Sequence, residues 1–329
     1  MISLTRWRIK TPPMPPPGAW RPFQVTVCIA MLADDEKELV LVSDQRVSFG
    51  DFSSDNAVVK TNPILPDWMA LVAGNDIGSA GPIIRRARRK LRQQPGLVHE
   101  ADAIAEAIYE ECRLERERKI EAKVLDRHKF SAATFMAKGK KLCTEAVYYD
   151  LYSKINEVSL SLAFLVCGFD ERGNGHIRLV TPDETPQDYD EIGFYAIGTG
   201  ANAALSSLCH SVEHLSLNKH CNSGEVAYYA LSAKFMAESA SDVGDETWLV
   251  AIRKGQQSRY ITPLYGMEYI RKTWEKRGAP RFPKGIDSAI SDLMMTLEDS
   301  VKPSGIRKAI KYSPKLKRMK IMQSSTSQK

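Results

Sequence analysis

The chain has 329 residues, 43% of them hydrophobic, and a formal net charge of +6. That is room for one large domain or two small ones with a proper core, and it excludes a chain disordered throughout. No apolar run reaches the roughly 18 residues a membrane-spanning helix needs, and Arg and Pro interrupt the N-terminal M-I-S-L-T-R-W-R-I-K-T-P-P, so a secretory signal is not expected.

The charge is unevenly spread. Residues 1–21 carry four Lys/Arg and residues 301–329 carry nine, with no acids in either stretch. Without those thirteen, 33 basic residues face 40 acidic ones. A mildly acidic body between basic tails is the reverse of a folded nucleic-acid-binding domain with a basic face. The six cysteines, at 28, 112, 143, 167, 209 and 221, show no CxxC spacing. This favours buried thiols in a reducing, cytoplasmic setting over a disulfide frame or zinc site. His210, His214, His220 and Cys221 come nearest to a metal cluster, but no second ligand motif accompanies them. No metal or cofactor is expected.

In chain order, residues 1–25 read as a Pro-rich, basic leader. Apolar runs at 25–32 and 39–43, joined by the charged turn 34–38, read as a hairpin. Further strands are predicted at 57–60 and 68–73. Helices follow at 78–93 and 100–127, the second with Ala103, Ile104, Ala107, Ile108 and Cys112 on a 3.6-residue stripe. The first carries Arg85, Arg86, Arg88, Arg89, Lys90 and Arg92. This set wraps more than one helix face and lacks interleaved aromatics, so it reads as a solvated, acid-binding or subunit-contacting surface.

Strands are then predicted at 131–137, 142–149, 159–167, 176–181 and 193–197, helices at 201–217 and 224–240, and strands at 247–252 and 259–262. Short helices at 267–274 and 287–297 make a C-terminal extension over 264–300, and 301–329 reads as a basic flexible tail, a candidate for an acidic or nucleic-acid partner. Blocks of strands, two helices, strands, two helices and strands predict an α+β fold with two antiparallel sheets covered by helices.

Polar residues punctuate the first strands: Thr26 in T-V-C-I-A, Asp44 and Arg46 in S-D-Q-R, Lys60 in V-V-K-T-N-P-I and Gly74 in A-G-N. With G-F-D-E-R-G-N-G, A-I-G-T-G-A and S-D-V-G-D-E-T-W-L-V-A-I, this order resembles the proteasome β-type N-terminal nucleophile hydrolases, above all the bacterial proteasome-related Anbu type, over roughly residues 26–255. Asp44 and Lys60 are sixteen residues apart and Lys60 and Gly74 fourteen, as in the family.

The resemblance implies a four-layer αββα sandwich over 26–263 and a leader that is removed as a propeptide. It implies Thr26 as nucleophile of a threonine-type peptidase, Asp44 and Lys60 as its electrostatic partners and Arg46 as a site-shaping neighbour. It further implies Gly74 N–H as oxyanion donor and Thr199 near the α-amine, with peptide or protein substrates and a ring-like homo-oligomer.

The chain departs from the family pattern in three places. Val25 and Ala30 stand where the family has glycine, and Asp242-Val243-Gly244 replaces a Ser-Gly motif. A catalytically inactive structural or binding protein of the same fold is the alternative. Cys28, on the same strand face as Thr26, is the other candidate nucleophile, with a buried core thiol as its plainer reading.

Overall fold

The structure, a computed structural model, describes residues 26–49, 52–54, 60–240, 243–256, 259–261, 266–277 and 286. The predicted leader, the helix at 287–297, the basic tail and positions 57–59 lie outside these.

The first hairpin is β1 (Cys28–Ala33) and β2 (Glu38–Asp44), followed by a short ribbon, β3 (Val47–Phe49) and β4 (Phe52–Ser54). Then come β5 (Thr61–Leu65), β6 (Trp68–Ala73), and the helices α1 (Ile77–Arg92), α2 (Ala101–Ile120), α3 (Ala132–Leu142) and α4 (Glu145–Glu157). Strands β7 (Ala163–Phe169), β8 (Gly175–Val180), β9 (Gln187–Asp188) and β10 (Phe194–Ile197) precede α5 (Ala201–Leu215) and α6 (Ser223–Ala237). The described chain closes with β11 (Thr247–Arg253), β12 (Arg259–Ile261) and α7 (Gly266–Arg277).

The strands form two five-stranded sheets, ordered β10-β1-β2-β11-β12 and β5-β6-β7-β8-β9, besides the β3-β4 ribbon. Every pairing among the described residues is antiparallel. The protein is therefore α+β with two antiparallel sheets, as its block pattern predicts.

The period-2 pleat divides the core. Cys28, Ala30, Leu32, Leu39 and Leu41 of the first sheet pack with Leu71, Leu165, Cys167 and Phe169 of the second. Val27, Ile29, Met31, Val40 and Val42 point the other way, onto α5, α6 and α7. On the second sheet, Ala70, Val72, Phe164 and Val166 pack against Ile83 and Ile84 of α1 and Ile104 and Ile108 of α2. Each Val, Leu, Ile, Phe or Met among these, wholly buried, contributes about 1.5–3 kcal/mol. No described helix is long and apolar enough to cross a membrane.

Two predicted strands are helices instead. Residues 131–137 and 142–149 are taken up by α3 and α4, so four helices separate the two blocks of strands. Thr, Phe, Val and Tyr raise the strand propensity of these segments, but the apolar positions do not alternate. Tyr148, Leu151 and Ile155 recur at helical spacing, and Ser131 caps α3 by accepting the Thr134 N–H at 3.1 Å. The pair buries Phe135 and Leu151 against Ile120, Val124 and Leu125, a cluster separate from the main core.

The helix predicted to reach 127 ends at Ile120. It widens over Glu121–Leu125 and stops at Lys129, whose φ is +60°. Of the strand predicted at 57–60 only Lys60 lies within the described residues, and it directly precedes β5, an edge strand in which Pro63 needs no ladder donor. Arg88 of α1 covers that edge, donating from Nε to the Ile64 carbonyl at 2.9 Å and from its terminal nitrogen to the Pro63 carbonyl.

At the far side of the second sheet, His176 of β8 stacks on Trp68 with 6.3 Å between centroids. Its Nδ1 lies 2.7 Å from Asp190. That hydrogen bond raises the imidazole's pKa, against burial. A raised native value contributes stability that is complete below the ordinary histidine pKa of about 6.5 and is lost as pH rises through the native value. The stability advantage of wild type over His176→Gln is therefore expected to shrink in thermal melts as pH rises above about 6.5. A pH-independent difference would show that His176 acts there by packing alone.

Candidate active site

Antiparallel pairing sets Thr26, just before β1, beside Asp44 at the end of β2. Cys28 faces Ser43, and the Asp44 N–H donates to the Val27 carbonyl at 3.2 Å. On the second sheet the Val72 N–H donates to the Lys60 carbonyl at 3.1 Å, which sets Lys60 beside the end of β6. Cys28 Sγ meets the Val72 carbonyl at 3.6 Å, joining the two strand ends across the sheets. Residues far apart in sequence thus converge at one end of the molecule.

Thr26, Asp44 and Lys60 are all buried, at 1%, 0% and 1% exposure. Thr26 Oγ donates to Asp44 Oδ1 at 2.9 Å, and Lys60 Nζ donates to the same oxygen at 2.6 Å. Lys60 Nζ also donates to Thr26 Oγ, closing a triangle of hydroxyl, ammonium and carboxylate. Three backbone amides add to it: Val27 at 2.9 Å, Arg46 at 3.3 Å and Gly244 at 3.4 Å, all donating to the Asp44 carboxylate. A buried ion pair is tenable only when such donors complete it. Arg46, predicted as a neighbour, reaches the carboxylate through its main chain.

The turn before α5 grips the Thr26 backbone. Thr26 N–H donates to Thr199 Oγ1 at 3.2 Å, and Thr199 Oγ1 in turn donates to the Thr26 carbonyl at 3.2 Å, as does the Gly200 N–H. Gly198 has φ +98°, and a Cβ there would come within 2.4 Å of the Thr26 carbonyl oxygen. Sequence reasoning singled out Thr199 and missed Gly198, although the doubled glycine of A-I-G-T-G-A was its signal.

Gly74 lies two residues past Val72, at the same end of the second sheet. Its φ is +135° and a Cβ would meet the Ser161 carbonyl oxygen at 2.2 Å. Gly74→Ala is expected to lower stability by about 2–4 kcal/mol, from a strained dihedral and a backbone clash, in urea titration. Stability equal to wild type would mean that the 74–76 turn and residue 161 move apart freely.

Burial pushes the Cys28 thiol up to about 12, with Lys60 opposing and Asp44 reinforcing the shift. A thiol so placed stays protonated at neutral pH and is a poor nucleophile.

Lys234 of α6 was not anticipated, though a lysine in L-S-A-K-F-M-A is a visible anomaly. It is fully buried, and burial lowers its pKa to about 8 against the pull of Glu238 and Asp44. It donates to Glu238 and, at 2.8 Å, to the Asp245 carbonyl. Arg271 of α7 donates to the same carbonyl at 2.8 Å and to both Glu238 oxygens. Lys234 and Arg271 thereby brace the residue next to Gly244, whose amide touches Asp44.

Beside Thr61 a cavity of about 410 Å³ runs between the sheets, lined by Leu65, Met69, Phe169, Trp248 and Ile252. The rings of His210 and His214 lie 4.7 Å apart. Among the described residues no group of three or more His, Cys, Asp or Glu is placed to hold a metal ion.

No protein-family model matches this chain, and no curated protein matches it in sequence.

Proposed function

We propose that this protein is a proteasome-like N-terminal nucleophile hydrolase, a threonine-type peptidase that acts through Thr26 after residues 1–25 are removed. The observation that carries the reading is the buried triangle of Thr26 Oγ, Lys60 Nζ and Asp44 Oδ1. The packing of helices on the outer faces of the two sheets supports a four-layer αββα sandwich around it.

Cleavage of the Val25–Thr26 bond frees an α-amine on the residue that bears the hydroxyl. A terminal amine, with an ordinary pKa of about 8, is matched to accept the Oγ proton at neutral pH. Lys60 stabilises the developing alkoxide, and Asp44 holds the ammonium in place. Oγ adds to the substrate carbonyl, and the oxyanion takes a hydrogen bond from the Gly74 N–H, an interaction of the kind that contributes about 3 kcal/mol. The C–N bond then breaks, and the α-ammonium returns its proton to the leaving amine. Water, deprotonated by the same amine, hydrolyses the acyl ester and restores Oγ–H. Thr199 Oγ, already against the Thr26 nitrogen, orients the amine.

The same reading makes the protein a cytoplasmic, ring-like homo-oligomer acting on peptides or proteins without a cofactor. Intact-mass measurement of the active protein tests it: the mature chain is expected to begin at Thr26 and to gain the mass of an electrophilic threonine-directed probe. Active protein with its leader intact would overturn the amine mechanism. An unprocessed, unlabelled and inactive chain would instead identify a structural or binding protein of the same fold, the reading favoured by Val25 in place of the glycine usual in that family.

A further inference from the structure

The six basic residues of α1 divide into two sets that the sequence does not separate. Arg86 donates to Glu111 and Glu115 of α2, each at 2.6 Å, and Lys90 pairs with Glu110. Their charge is met within the fold. Arg85, Arg88, Arg89 and Arg92 have no salt bridge to a carboxylate among the described residues, and they follow the i, i+3, i+4, i+7 spacing that aligns side chains in one row. Seven residues of helix span about 10 Å. The four guanidinium groups, with Gln93, line one open groove of about 380 Å³. Arg88 is held in its pose by the Ile64 and Pro63 carbonyls, which orient the group without neutralising it.

The geometry points to this row as a binding site for a chain of phosphates, as in inorganic polyphosphate or a single-stranded nucleic-acid backbone. Guanidinium forks match phosphate oxygens in bidentate fashion, and a row of about 10 Å is long enough to meet more than one successive phosphate of either chain. A protein partner would need an apolar anchor at the centre of the contact. On α1 the large apolar residues Ile83, Ile84 and Leu91 are buried against the second sheet, and none of the helix's large apolar side chains is exposed. Charge alone suffices for a phosphate chain. The row also lacks an aromatic platform, so it grips the backbone and reads no bases. Binding through such charge contacts is strongly salt-dependent.

Fluorescence anisotropy on the full chain tests the assignment with three probes: labelled inorganic polyphosphate, an oligouridylate and polyglutamate. The triple variant Arg85→Gln, Arg89→Gln, Arg92→Gln spares Arg88, which covers the β5 edge. For the oligouridylate it is expected to lose at least tenfold in affinity at low salt and to flatten the log K against log salt slope by about 2, from three lost contacts at roughly 0.7 each. Lys90→Gln, whose charge Glu110 already meets, is expected to change the slope by less than one such contact. Loss with polyphosphate alone, oligouridylate alone or both supports the site and identifies its source. An unchanged slope for both phosphate probes, with binding left to the basic tail, overturns it. So does tighter binding of polyglutamate through the same arginines, which would mark an acidic-protein surface.

Discussion

Thr26→Ala is expected to abolish amide hydrolysis, lowering the rate by about four orders of magnitude or more, as loss of a nucleophile does. It is also expected to keep residues 1–25 attached and to prevent labelling by the threonine-directed probe. The fold should tolerate the change. Thr26 Oγ gives one hydrogen bond to Asp44 and receives one from Lys60, while the Lys60–Asp44 pair at 2.6 Å does not depend on it. The stability cost is therefore about 1 kcal/mol. Thr26→Ser, which keeps Oγ, is expected to retain processing and measurable activity. Processing and wild-type hydrolysis in Thr26→Ala would remove this residue from the chemistry and return attention to Cys28.

Replacing Lys60 separates catalysis from stability. In Lys60→Ala the Asp44 carboxylate, wholly buried, loses its cation, and breaking a buried pair from one side costs about 3 kcal/mol. The amides of Val27, Arg46 and Gly244 and the Thr26 hydroxyl still donate to it, which keeps the chain folded. Activity is expected to fall at least a hundredfold, because nothing then offsets charge developing on Oγ. Adding Asp44→Asn removes the stranded charge, so the double variant should recover part of the stability and none of the activity. A denaturant titration and a rate measurement on the four proteins complete this cycle. Full activity in Lys60→Ala would mean that the lysine is a structural ion-pair partner and no more.

Much of this site was legible because strand ends in a fold of antiparallel sheets are marked by polar residues beside apolar runs. Thr26, Asp44 and Lys60 each stand at such a boundary, and the structure brings them within hydrogen-bonding distance. Thr199, at the turn into α5, was singled out only through the resemblance carried by A-I-G-T-G-A. Other participants were hidden. The amides of Val27 and Gly244 are main-chain donors, which side-chain identity does not advertise. Lys234 and Arg271 converge on Asp245 only because α6 and α7 pack together on the first sheet.

The α3 and α4 segments misled for a different reason. Their aromatic and β-branched residues favour strands locally, whereas burial of Phe135 and Leu151 against the end of α2 favours helices. Propensity differences of a few tenths of a kcal/mol per residue yield to burial of that size.

The sequence by itself determined the order of most elements, the two antiparallel sheets and the identities of the polar residues at their ends. Apolar periodicity and turn chemistry act over a few residues and are written locally. Only the tertiary structure decided which ends meet, which of six cations on α1 are neutralised, and why Gly74 and Gly198 tolerate no side chain. Those outcomes depend on distances between segments 16 to 200 residues apart, and such distances are set by how two sheets and their helices exclude water from a shared core.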